Sequence, residues 1–253
     1  MATIGIFDSG SGGLSVYREI KALMPHDRCI YYSDNANCPY GEKNRDFIIS
    51  RARFISDLLI SKGADIIVIA CNTATAAAIA TLRAEYSIPF VGMEPAVKPA
   101  ALGTKSGVIG VLATAGTLSA SKYLDTRDRF TEGIRVVEHV GKGFVELVES
   151  LELDGENAYR IVKASLSPLL EAGADTVVLG CTHYPFLLPV MEKVASDAGA
   201  DIRFIDPAPA VARQVQKVLT EKGIGPAVSG EPDTELLASG PADTLQKLFS
   251  LIY

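Results

Sequence analysis

The chain has four cysteines, Cys29, Cys38, Cys71 and Cys181, in 253 residues, with only three histidines to accompany them and no C-x-x-C pair among them. A zinc site built at the usual ligand spacings is therefore not expected, and in a reducing compartment these are free thiols. Basic runs are also missing. The 24 basic and 30 acidic residues, a formal net charge of −6, are spread without a block that could meet a polyanion. Neither direct nucleic-acid binding nor a membrane-surface role follows from such a charge pattern. The N-terminus, Met-Ala-Thr-Ile-Gly-Ile-Phe-Asp8, has no positively charged leader, and Asp8 interrupts its apolar run, so a cytoplasmic protein is expected. The longest apolar stretch, Ala64 to Ala80, carries Asp65, Cys71, Asn72 and threonines. That excludes a membrane span and reads instead as a buried strand running into a helix. No Walker A sequence, no G-x-G-x-x-G fingerprint and no lysine context for pyridoxal phosphate is present. No cofactor is called for.

What is present is an α/β rhythm. Strands are expected at Thr3–Phe7, Arg28–Ser33, Asp65–Ala70, Pro89–Gly92, Gly107–Leu112, Gly133–Glu138, Thr176–Gly180 and Ile202–Ile205. Between them, Leu14–Met24, Asp46–Ser61 and Glu156–Glu171 carry apolar residues at helical spacing. Largely parallel sheets are the expected outcome, with ligands bound beyond the carboxyl ends of the strands.

A repeat runs through the chain. Gly63-Ala-Asp-Ile-Ile-Val-Ile-Ala-Cys71-Asn-Thr73 aligns without gaps on Gly173-Ala-Asp-Thr-Val-Val-Leu-Gly-Cys181-Thr-His183, and Ile4-Gly-Ile-Phe-Asp8-Ser9 echoes Ile109-Gly-Val-Leu-Ala113-Thr114. We therefore expect two similar domains related by pseudo-symmetry, residues 1–94 plus 208–253 and residues 95–207, facing each other across a shared cleft. The breaks fall at Glu94-Pro95, Lys98-Pro99 and Asp206-Pro-Ala-Pro209.

Each repeat cysteine ends a buried strand, where a following helix N-terminus favours the ionised thiol. A cysteine so placed is more often a small buried hydrophobe. Here, however, Asn72 and Thr73 follow one cysteine and Thr182 and His183 the other, and packing does not call for hydrogen-bonding residues there. Cys29, inside a strand, and Cys38, in a loop, read as structural. Two thiols on opposite sides of a substrate suit removal of a proton from one face of a carbon and its return to the other. The thiol pKa, about 8.5 before the surroundings lower it, lies near the operating pH. His183 is close enough to Cys181 to exchange a proton with it, although a lone histidine at such a junction is often structural. Asp8-Ser-Gly-Ser-Gly-Gly13 opens a helix after the first strand, and its backbone amides are expected to be free for an anion. It is equally a tight turn that needs glycine. Pro39-Tyr40-Gly41, Thr114 and Thr117 also follow strands.

Together, Asp8-Ser-Gly-x-Gly-Gly-Leu14, Pro39-Tyr-Gly41, Cys71-Asn-Thr73 and Gly180-Cys-Thr-His-Tyr-Pro185 resemble the glutamate racemases of the aspartate/glutamate racemase superfamily, in that family's order along nearly the whole chain. Related aspartate racemases have a glutamate where His183 stands. The resemblance implies cofactor-independent interconversion of L- and D-glutamate in the cytoplasm, supplying D-glutamate for peptidoglycan. Cys71 would deprotonate D-glutamate with help from Asp8, and Cys181 L-glutamate with help from His183. Ser9, Pro39, Tyr40, Gly41, Asn72, Thr73, Thr114, Thr117 and Thr182, with Asp8, His183 and the two thiols, would hold the substrate. The family's glutamate near the second base falls at Glu149, after Val140-Gly-Lys-Gly143 where many relatives read Ala-Cys-Pro-Leu. By residue type alone, a glutamate beside Val148 on a short helix faces water. Dimers are frequent in that family, so the resemblance raises a homodimer, with no exposed seam legible in the chain. The rival readings are a racemase for aspartate or another acidic amino acid, and a non-catalytic amino-acid-binding module. The latter would not need both thiols.

Overall fold

Glycine-bounded β-branched segments alternate with amphipathic helices, and in the computed structural model they assemble two sheets in which every strand pairing is parallel. The structure describes residues 1–225, 227, 229–230 and 233–252, so part of the 208–253 segment lies outside the described residues. The fold divides into two units, Met1–Met93 with Ala208–Tyr253, and Glu94–Pro207.

The first unit opens with β1 (Thr3–Asp8), α1 (Leu14–Leu23), β2 (Arg28–Ser33), α2 (Arg45–Ser61), β3 (Ile66–Ile69), α3 (Asn72–Glu85) and β4 (Phe90–Gly92). The second holds α4 (Val97–Gly103), β5 (Val108–Ala113), α5 (Ala115–Leu118), α6 (Ser121–Phe130), β6 (Arg135–Val140), α7 (Phe144–Glu149), α8 (Gly155–Glu171), β7 (Thr176–Gly180), α9 (Leu188–Asp197) and β8 (Arg203–Ile205). The chain then returns to the first unit as α10 (Ala208–Glu221), β9 (Thr234–Ala238) and α11 (Asp243–Leu251). The sheet orders are β4-β3-β1-β2-β9 and β6-β5-β7-β8. Reversed, the second order repeats the wiring of the first four strands of the first sheet.

Burial follows from that wiring. β3 and β7 are buried at every residue and β1 at all but its first, rather than alternately, because helices cover both faces of a parallel sheet. In the first unit, Phe7, Ile67 and Ile69 pack with Ile48, Ile55 and Leu59 of α2 and Ala74, Ala78 and Leu82 of α3. Each large aliphatic side chain so buried contributes about 1.5–3 kcal/mol. In the second unit, Ile109, Val111 and Val178 pack with Val97 and Ala100 of α4 and with Tyr123 of α6.

The repeat has a structural meaning at each position. Gly63 and Gly173 end α2 and α8 in the left-handed region, at φ of 90° and 82°, with open space around each Cα, so glycine is needed there for its backbone freedom. The following alanines close the same bonds, Ala64 N to Leu59 O and Ala174 N to Leu169 O, both at 3.1 Å. Asp65 accepts from Thr3 N at 2.8 Å, pinning the start of β1. Asp175 does the same ahead of β5, accepting from Lys105 N, Ser106 N and the Thr104 hydroxyl. The aligned residues also share a ladder register, Ile4 opposite Ile66 and Ile109 opposite Thr176.

β9 is absent from the sequence expectations, yet it pairs with β2 from Cys29↔Thr234 to Ser33↔Ala238. Its Thr-Glu-Leu-Leu-Ala composition is as good for a helix as for a strand, and only pairing with an open edge decides the matter.

Candidate active site

In each sheet the order of strands reverses once, between β1 and β3 and between β5 and β7. Parallel α/β sheets bind ligands outside the carboxyl ends of the strands at such a switch point. Asp8 and Cys71 stand there in the first domain, Thr114 and Cys181 in the second.

In the first domain Cys71 is nearly buried and caps α3, its Sγ accepting from Ala74 N at 3.4 Å. The helix N-terminus thus points partial positive charge at the sulfur, which favours a thiolate. The thiol also lies 3.7 Å from Ser9 Oγ. Asp8, fully buried, accepts from Ser9 N and from Gly13 N, both at 2.7 Å. This corrects the expectation that the turn's amides are free for an anion: at Ser9 and Gly13 the turn is satisfied by its own carboxylate. Gly13 is required by close approach, since a Cβ there would stand 2.8 Å from both Asp8 Cβ and the Tyr31 hydroxyl. Asn72 is 4% exposed and neither its Nδ2 nor its Oδ1 has a partner among the described residues. An orphaned buried amide costs about 1–3 kcal/mol, so a polar ligand is the natural occupant. Thr73 is buried beside it.

The second expectation to change concerns Cys181. Both thiols were expected to sit at a helix N-terminus. Cys181 instead leads into a turn, Tyr184 N to Cys181 O at 3.2 Å, then a 3-10 segment at Tyr184–Leu187, and α9 begins only at Leu188. Pro185 and Pro189 lie in this stretch, and each disfavours helix at the residue before it. A different device serves this thiol. Cys181 Sγ lies 3.7 Å from His183 Nδ1, and His183 Nε2 lies 2.8 Å from Glu149 Oε1. A carboxylate only accepts, so Nε2 carries the proton shared with Glu149, and Nδ1 is left to take a proton from the thiol or return one. Glu149 ends α7 and faces the imidazole rather than bulk water.

The segment Val140-Gly-Lys-Gly143 has its own logic. Gly143 opens α7 at φ 82°, and a Cβ on Gly141 would lie 2.6 Å from the fully buried Tyr184 hydroxyl, which donates to Gly141 O at 3.4 Å. Tyr184 stacks edge-on against Phe144 with centroids 4.9 Å apart. Thr114 caps α5, accepting from Thr117 N at 3.2 Å, with the two hydroxyls 3.0 Å apart; Thr117 and Thr182 are buried. Pro39 follows a cis peptide bond from Cys38, and Gly41 lies in a 3-10 turn with the buried Tyr40. Burial pushes the Cys29 thiol up to about 12, so it stays protonated and inert.

Sequence reasoning missed Asp34, Arg51 and Asn37. The fully buried Asp34 accepts two N–H bonds from Arg51, at 2.7 and 3.0 Å, one from Asn37 at 3.1 Å and one from the Tyr40 hydroxyl. The available signals were an aspartate directly after β2 and an arginine one helical turn beyond Ile48 on the apolar side of α2.

The chain matches the Asp/Glu/Hydantoin racemase family over residues 4–215, and it belongs to that family. It is 45% identical to the glutamate racemase of Pseudomonas entomophila over all of this chain and 94% of that one. Among solved structures it is similar to Escherichia coli glutamate racemase in complex with L-glutamate and the activator UDP-MurNAc-Ala, with TM-score 0.87 and 34% identity, covering 99% of this chain and 95% of that one. A glutamate racemase isoform of Bacillus anthracis gives TM-score 0.84 at 31% identity, covering 98% and 92%. No helix among the described residues is long and apolar enough to cross a membrane.

Proposed function

We infer that the protein interconverts L- and D-glutamate by two-thiol acid–base chemistry. The observation that carries this reading is that Cys71 and Cys181 occupy equivalent switch-point positions, each with its own means of stabilising a thiolate. Cys181, as thiolate, takes the α-proton of L-glutamate, and Cys71, as thiol, delivers a proton to the opposite face. The product is D-glutamate, with the protonation states of the two sulfurs exchanged. The reverse reaction runs through the same groups, and proton exchange with solvent resets them. His183, backed by Glu149, stabilises the Cys181 thiolate, whereas the α3 N-terminus and the Ser9 hydroxyl serve Cys71, with Asp8 holding the Ser9 turn. Asn72, Thr73, Thr114, Thr117, Thr182 and the main chain at Pro39–Gly41 hold the ammonium and the two carboxylates. No cofactor takes part in this scheme. The product serves peptidoglycan synthesis, and we place the enzyme in the cytoplasm, where both thiols stay reduced.

The test is incubation with L-glutamate in heavy water without added cofactor, following optical rotation and deuterium at Cα. Loss of rotation with deuterium in the D-product is expected. Unchanged rotation with full binding of glutamate would overturn the reading.

A further inference from the structure

Asp34 sits where four parts of the first domain meet. Its carboxylate is gripped by the fork of Arg51 from α2 and accepts hydrogen bonds from the Asn37 amide in the turn after β2 and from the Tyr40 hydroxyl. Its own N–H donates to Asp8 O at 2.9 Å, tying the same residue to the end of β1. The turn is closed from the other side by the segment after β9, where Gly240 N donates to Asn35 Oδ1 at 2.8 Å and Ser239 Oγ accepts from Ala36 N at 3.0 Å.

The Asp34 carboxylate is fully buried while the Arg51 side chain is 23% exposed, and the cost of desolvating the carboxylate makes such a pair weak evidence for stability. Its value lies in fixing a geometry, and the bidentate Arg–carboxylate fork is the side-chain pairing best suited to that. What is fixed here is Tyr40. Its ring is 1% exposed and meets Phe47 edge-on at 6.5 Å, and its hydroxyl is committed to Asp34. The phenol is therefore an anchor, and what the 40–42 turn can present to a ligand is main chain. That turn packs on α3, the helix that starts with the Cys71 cap and the orphaned Asn72 amide.

We propose that Asp34 and Arg51 are positioning residues for substrate binding, clamping Tyr40 so that the main chain of the 40–42 turn is held against the N-terminus of α3 where the Asn72 amide awaits a polar group. The proposal rests on the glutamate racemase reading for its substrate. It predicts an effect on binding more than on chemistry, since Asp34 and Arg51 act by fixing Tyr40 and its turn.

The test measures kcat and KM for L- and D-glutamate, with thermal unfolding alongside, in the wild type and in Arg51→Met, Arg51→Lys and Tyr40→Phe. Arg51→Met is expected to raise KM about tenfold with kcat held within about threefold, and Arg51→Lys, which keeps the charge but not the fork, to fall between. A merely structural pair would lower the unfolding temperature and the active fraction while leaving KM where it was. Should Arg51→Met fail to fold, Arg51→Lys and Tyr40→Phe carry the test, and unchanged KM in both folded variants would overturn the proposal. A wild type that binds but does not racemise glutamate overturns the functional reading itself, so the two failures are told apart by the first assay.

Discussion

His183 bridges Cys181 and Glu149, its Nδ1 3.7 Å from the sulfur and its Nε2 2.8 Å from the carboxylate. The carboxylate sets which nitrogen holds the resting proton and thereby makes the other nitrogen the thiol's partner. Cys71 caps a helix, its Sγ accepting from Ala74 N. The contacts that surround the two thiols differ in kind, and that difference can be measured.

On the two-thiol reading proposed above, replacing His183 by Asn removes the imidazole that would exchange a proton with Cys181. Proton-transfer groups of this kind contribute about 10²–10⁴-fold, so kcat/KM should fall by about two orders of magnitude. Mirror-image substrates have equal free energy, which ties kcat/KM in the two directions together. The asymmetry must therefore be sought in the primary isotope effect on kcat, which should grow for L-glutamate deuterated at Cα and not for the D-isomer. Equal growth in both would remove His183 from its place beside Cys181.

Glu149→Gln tests the relay one step further out. An amide can present either its oxygen or its NH₂ to Nε2, so the tautomer is no longer enforced. The expected result is a loss smaller than that of His183→Asn, with the acid limb of the kcat profile displaced. An unchanged pH profile would reduce Glu149 to a structural partner.

Cys71→Ser and Cys181→Ser should each lower racemisation at least about 10²-fold, because a hydroxyl is a far weaker base than a thiolate. Binding of glutamate, followed by calorimetry, should persist in both. Racemisation at the wild-type rate in either variant would end the two-thiol scheme.

Gly13→Ala puts a methyl group 2.8 Å from Asp8 Cβ and the Tyr31 hydroxyl. Overpacking of this kind costs about 1–3 kcal/mol, and a thermal melt should fall by about 2–4 °C for each kcal/mol. Gly63→Ala also destabilises, through its φ of 90° rather than by a clash.

Acid should loosen the Asp34 clamp. Burial pushes this carboxyl up, but the bonds from Arg51, Tyr40, Asn37 and Ser239 more than offset it and hold the group below its ordinary value. A carboxyl depressed in the folded state contributes stability that is complete above the unfolded value, near 3.9, and is lost as pH falls through the folded value. Urea midpoints measured from about pH 6 downward should show Asp34→Asn weaker than wild type near neutrality, with the gap narrowing below about pH 4. Parallel curves would remove the ionised carboxylate from the clamp.

Much of this site was legible along the chain because it is written in short-range chemistry. The Gly63 and Gly173 helix ends, the Asp65 and Asp175 strand pins and the strand-terminal Cys71 and Cys181 all lie within a single aligned segment. The Tyr40 anchor was not legible, since the residue reads as a loop tyrosine until Asp34 and Arg51 surround it. Nor was the end of helical support for Cys181, which depends on how the chain turns after β7.

Local pattern was enough for the parallel α/β order, the repeat and the placing of a cysteine at the end of β3 and of β7, because β-branched periodicity, glycine caps and strand-end residues act over a few positions. Only the tertiary structure decided which thiol is held by a helix N-terminus and which by a histidine and a glutamate, that the Asp8 turn spends two of its amides on itself, and that β9 joins β2. Those outcomes depend on hydrogen bonds and pairings between residues that chain closure brings together, and no local pattern encodes the partner.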